Sequence, residues 1–171
     1  MRWKCLLGSY GNESARLNKE LVREQRIASS AGAGYDSTAR GPGMFYLEGT
    51  PSEGKTVVDL EAALRDEVEK LVRDGVTEEE LARVKAQVVA GHVFQLDSMA
   101  SQARQIGQLE SIGLSYRDID TMLEKLKAVT AEQVRDVAKK YLTDERLTVA
   151  VLDPQPLEQK APAATPAGLR H

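Results

Sequence analysis

The stretch GVTEEELARVKAQVVAGHVF, residues 75–94, sets Glu78, Glu79 and Glu80 side by side and runs on to His92, one of two histidines in the chain. Carboxylates and imidazoles are the donors of hydrolytic zinc, which commonly takes two histidines and one carboxylate beside a general base. The spacing here does not supply that set. No second histidine lies within a helical turn of His92, His171 is the last residue, and neither H-x-x-E-H nor H-E-x-x-H occurs. His92 is therefore expected to be structural, and no metal ligand or catalytic residue is assigned within the chain.

Other chemistries are as poorly served. Ser29 and Ser30 have no G-x-S-x-G elbow around them, and one isolated histidine is no assured base. Small polar residues on a strand are the expected role. Gly32, Gly34, Gly41 and Gly43 lead into a second strand rather than into a helix N-terminus, so they read as turn and packing glycines and not as a phosphate loop. Arg23, Arg26 and Arg40 flank the strand pair, where a guanidinium can hold a peptide carboxylate or carbonyl.

The elements that would position these residues follow from periodicity and caps. SARLNKELVREQR, capped at Asn12 or Ser14, has the pattern of a short amphipathic helix turning Leu17, Leu21 and Val22 inward. ASSAGAGYDS and GMFYLEGTP read as strands joined by the turn TARGPG, an antiparallel hairpin. From Thr56, Val57, Leu60, Leu64, Val68 and Leu71 form one helical stripe that Gly75 ends.

Thr77 and Glu80 have the spacing of a capping box, Glu78 and Glu79 sit where the helix dipole favours negative charge, and Glu79 precedes Arg83 by four residues. The glutamates thus have a structural explanation, with Leu81, Val84, Val88 and Val89 facing the core. A helix over 98–112 is expected to bury Met99, Ile106 and Leu109. One over 115–127 buries Ile119, Met122, Leu123 and Leu126. A third, capped by Thr130 and Gln133, buries Val134, Val137, Ala138 and Tyr141. RLTVAVL alternates as a final strand before Pro154.

This order predicts an α+β fold, with helices packed on one face of an antiparallel sheet. Residues 1–153 are expected to form one domain, and 154–171 a Pro/Ala-rich disordered tail. The start, MRWKCLLGSYG, reads as the last turn of a helix ending at Gly8 or Gly11, as if an element were cut. Of 171 residues, 42% are hydrophobic and 29% charged, with a net charge of −3 and no basic footprint for nucleic acid. No apolar run approaches the length of a bilayer span. Cys5 is the single cysteine, which excludes a disulfide framework and a cysteine-rich zinc site.

ARLNKELVREQRIASSAGAGYDS and GMFYLEGTPSEG resemble the pitrilysin/insulinase/mitochondrial-processing-peptidase family of zinc metallopeptidases. The match continues through DGVTEEELARVKAQVVAGHVFQLDSMASQARQIG and TAEQVRDVAKKYLTDERLTVAVLDP, covering about residues 3–153. The resemblance implies one α+β half of a clamshell that closes around an extended peptide. It is to the second half, which carries no zinc ligands, and it implies that a first strand precedes Met1. Zinc is then expected in an N-terminal half of the same protein or in a homologous partner chain. Peptide is the expected substrate, with neither nucleic acid nor membrane as partner, and a bacterial periplasmic or cell-envelope location is implied.

Some second halves carry an Arg and a Tyr, seven residues apart, on the substrate backbone. Ungapped comparison puts Val22 and Ser29 at those positions, with Arg23 one residue off, so the pair as such is absent. Arg23, Ser29 and Ser30 are the expected substrate contacts. The expectation is a non-catalytic half of a zinc endopeptidase, inactive alone. The alternative is a non-catalytic scaffold subunit of the same fold.

Overall fold

A computed structural model describes residues 16–36 and 41–155. The caps expected at Asn12 or Ser14, the N-terminal helix turn, Arg40 and the tail from 156 lie outside the described residues.

The first element, α1 (Asn18–Glu24), is wound as a π-helix rather than the expected α-helix. The amide of Gln25 donates to the Glu20 carbonyl, five residues back, at 2.8 Å. The wide turn suits the four-residue spacing of Leu17 and Leu21, both fully buried, while Val22 is half-buried against the core and Arg23 stands exposed. Arg26 then takes a left-handed conformation, φ 53°, and the Ile27 amide returns to the Leu21 carbonyl at 2.9 Å.

The hairpin forms as expected. Strands β1 (Ala28–Tyr35) and β2 (Phe45–Pro51) pair antiparallel, with an irregularity between Ala28 and Ser30 that leaves Ser29 as the extra residue. The register sorts the two faces. Ala31 with Gly49, Ala33 with Leu47 and Tyr35 with Phe45 share one, whose apolar members pack on the core. Ser30 with Thr50, Gly32 with Glu48 and Gly34 with Tyr46 share the other.

Five further helices follow: α2 (Val57–Asp74), α3 (Glu78–Gln95), α4 (Met99–Ser111), α5 (Ile119–Lys127) and α6 (Ala131–Tyr141). Three open with reciprocal capping boxes, Thr56 with Asp59, Thr77 with Glu80 and Thr130 with Gln133. Gly75, at φ 78°, closes α2 in a conformation that favours glycine. α1 packs on β1, α2 on β2, and α6 on α2. Leu17, Leu21, Ala28, Leu60, Leu71, Leu81, Leu126 and Val134 lie in the resulting core. The α+β class is as the sequence predicts.

Four expectations are corrected. Met99 is 87% exposed and Ile106 39%, because α4 makes its main contact with the short 3-10 turn Tyr116–Asp118 and inserts only Leu109. Tyr141 and Val57 also lie outside the core, one at the last turn of α6 and the other at the first of α2. Among the described residues Glu79 and Arg83 do not pair, and the ion pair of that turn is Glu80 with Arg16, 2.9 Å. RLTVAVL forms no ladder: among the described residues the sheet has two strands, and 147–152 run without one. Within the charged face of α2, Glu67 is buried, its carboxylate accepting from Lys70 Nζ at 2.8 Å.

Candidate functional site

The residues that sequence reasoning selects sit where α1 meets β1. Ser29, set out by the bulge, donates its hydroxyl to the Thr50 and Pro51 carbonyls, 3.2 and 3.4 Å, so it fastens the strand ends together. Ser30 turns to the solvent face opposite Thr50. That face holds a shallow groove of about 300 Å³ lined by Ser30, Ala31, Gly32, Glu48, Gly49 and Thr50. Arg23 is on the last turn of α1, apart from the two serines. The structure therefore joins Ser29 and Ser30 through the bulge, and does not bring Arg23 into the groove lining.

Glu48 and Tyr46 complete this face and were not selected from the sequence. Their signal was the strict alternation of FYLEGTP, which sends Tyr46, Glu48 and Thr50 to one side and Phe45 and Leu47 to the other. The Tyr46 ring lies across Gly34, filling the space that a Cβ would take. Asn18 Nδ2 donates to the Ala31 carbonyl at 3.1 Å, tying α1 to the middle of β1.

A second concavity, about 630 Å³, opens between α3, α4 and α5 beside the end of β1. Val88, Leu109, Met122 and Leu126 contribute apolar walls, and His92, Gln95 and Arg104 are among its polar ones. The donors around His92 do not fit zinc. Among the described residues Asp36 is the one carboxylate in the lining and no second histidine or cysteine joins it, while the cation of Arg104 opposes a second positive charge. Among the described residues no three His, Cys, Asp or Glu side chains gather as a metal ion requires.

Arg16, just ahead of α1, serves packing. Arg16 Nη2 donates to the Gly75 carbonyl and to Glu80, linking the entry to α1 with the α2–α3 turn. Burial alone would raise the Glu80 pKa, but the Thr77 amide and the Arg16 guanidinium outweigh it and hold the carboxyl below its ordinary range. Among the described residues no helix is long and apolar enough to cross a membrane.

Residues 5–88 match the family model described as the peptidase M16 inactive domain. An uncharacterized zinc protease of Mycobacterium tuberculosis is 29% identical over 153 residues, which are 89% of this chain and 34% of that protein. The chain thus spans about a third of the length of the curated relatives it matches. Among solved structures, a protease from Helicobacter pylori superposes with TM-score 0.76 at 19% identity, over 85% of this chain and 35% of that one. The inactive peptidase domain of a zinc protease from Bordetella parapertussis gives TM-score 0.75 at 16% identity, over 92% and 85%. Set beside a bulged hairpin packed against helices, the family match places the chain in the peptidase M16 family, in the region described as its inactive domain.

Proposed function

We propose that this chain is the non-catalytic C-terminal half of a zinc-dependent metalloendopeptidase, enclosing the chamber and helping to hold an extended peptide. The observation that carries the reading is the match to the inactive domain of the family. Zinc and its ligands then belong to an N-terminal half of the same protein or to a homologous partner chain, and no step of hydrolysis is assigned to residues of this one. Enclosure has a direct physical benefit, since a closed site limits water and strengthens the electrostatics around the reacting bond.

Peptide would lie against the hairpin by main-chain hydrogen bonding of the strand-addition type. Three features support this place. β2 pairs with one strand only among the described residues, the solvent face is lined by small and polar side chains, and the π-wound α1 turns Val22 inward and Arg23 out. In this reading Arg23 holds a peptide carbonyl or carboxylate, Ser30 borders the peptide, and Ser29 keeps the strand ends in register.

The test uses the 171-residue chain and the full-length protein. The chain alone is expected to retain no stoichiometric zinc after dialysis and to cleave no quenched peptide, whereas the full-length protein does both. Arg23→Ala in the full-length protein is expected to raise KM several-fold with kcat nearly unchanged, the signature of lost uniform binding. Zinc and cleavage in the isolated chain would overturn the assignment. A full-length protein without either would establish the scaffold role instead.

A further inference from the structure

We propose that Arg26 is a further peptide-binding residue, whose guanidinium takes a carboxylate of the peptide held on the hairpin. The inference rests on the reading above, that the hairpin holds an extended peptide.

Arg26 joins α1 to β1 at φ 53°, in the left-handed region. Among the described residues four others turn this way, and all are glycines: Gly41, Gly54, Gly75 and Gly113. A Cβ in this region crowds the following carbonyl, and glycine escapes the crowding. Leaving a helix for a strand explains the conformation, since a left-handed residue is a common way to end a helix. It does not explain arginine. A residue kept at a steric cost where glycine would serve points to a use for its side chain.

The position is fixed from both sides. The Gln25 amide donates to the Glu20 carbonyl at 2.8 Å, and the Ile27 amide to the Leu21 carbonyl at 2.9 Å. The Ser52 amide donates to the Ile27 carbonyl, also at 2.9 Å. The neighbours of Arg26 are thus tied to α1 and to the end of β2, just before the bulge at Ser29. The π winding of α1 stands on one side and the bulge on the other, both of them backbone features that gather at binding sites.

The guanidinium has no internal task. Arg16 binds Glu80, Arg65 binds Glu61 and Asp144, and Arg73 binds Asp74. Arg26 is exposed, and among the described residues no carboxylate pairs with it, Glu53 beyond Ser52 included. Arg23, on the last turn of α1, is exposed and unpaired in the same way and adds to the positive charge of this junction. A guanidinium fork matches a carboxylate through two parallel hydrogen bonds. A peptide offers that group at its C-terminus or on an Asp or Glu side chain.

Three fluorescent peptides of one sequence test this on the full-length protein. One ends in a free carboxylate, one in an amide, and the third is amide-ended with a glutamate replacing an internal glutamine. Fluorescence anisotropy reads Kd, and cleavage is followed in parallel. A carboxylate peptide is expected to bind on the order of tenfold more tightly than the amide-ended parent; which of the two does so tells a terminal carboxylate from a side-chain one. Arg26→Gly is expected to erase the preference without lowering the unfolding midpoint, because glycine suits the backbone there. Arg26→Lys keeps the charge without the fork and is expected to retain part of it. Equal affinity for the three peptides would overturn the proposal, as would a preference that survives Arg26→Gly. A lowered midpoint with all three peptides weakened alike would make Arg26 a structural residue and overturn it too. Cleavage with no such preference sinks this proposal alone; the preference without zinc or cleavage sinks the peptidase reading alone.

Discussion

At the scale of single residues the hairpin depends on what is missing from β1. Gly34 has no side chain, and the Tyr46 ring occupies its place; Gly32 meets only the flexible end of Glu48 at ordinary contact distance. Gly34→Ala must therefore push an aromatic ring off the strand, while Gly32→Ala need not. The first is expected to destabilise by about 1–2 kcal/mol, and the second by much less. Denaturant midpoints of the two variants check this, and equal midpoints would contradict the packing described. His92 belongs to the same scale: among the described residues its groove holds no second imidazole and one carboxylate, so His92→Gln is expected to change stability slightly at most and to leave metal content unchanged, checked by an unfolding midpoint and metal analysis.

At the scale of elements the N-terminus of α3 shows why three adjacent glutamates are not a site. Glu80 closes the capping box with Thr77 and also receives Arg16 from across the chain. A carboxyl held below its unfolded value of 4.5 stabilises the fold above that pH, and the contribution is lost as pH falls through the lower folded value. Glu80→Gln is expected to cost about 1 kcal/mol at pH 7 and nearly nothing at pH 3, measured as the gap between unfolding midpoints. A gap of the same size at both would remove the charge from the explanation.

Caps of this kind were legible in the sequence because they are local. Thr77 needs only Glu80, and Thr130 only Gln133. Depth was not legible. The 3.6-residue period says which face of α4 is apolar, but Met99 and Ile106 stay exposed because little of the chain covers that helix. The π winding of α1 was equally hidden, since its leucine spacing also satisfies an α-helix. For the candidate site, Ser29 was located correctly on the strand start, but its engagement with Thr50 and Pro51 depends on a bulge that composition does not announce.

At the scale of the whole molecule the described helices and hairpin share one core, built where α1, α2 and α6 meet the strand pair. Among its described charged groups, Glu80 closes a cap and holds Arg16, while Arg65 and Lys70 pair along α2.

Arg65 gives the end of the described chain a sensitivity of its own. It divides its guanidinium between Glu61 within α2 and Asp144 at the root of the final segment, and Asp144 is 90% exposed. Mobile ions in the buffer compete for so wet a contact. The hold of the 3-10 turn Asp144–Arg146 on α2 should thus weaken a few-fold as sodium chloride rises, read as faster exchange of the Leu147 amide, and Asp144→Asn should make that exchange indifferent to salt. The uncharged residues 147–152 would then feel ionic strength through the charged turn that precedes them.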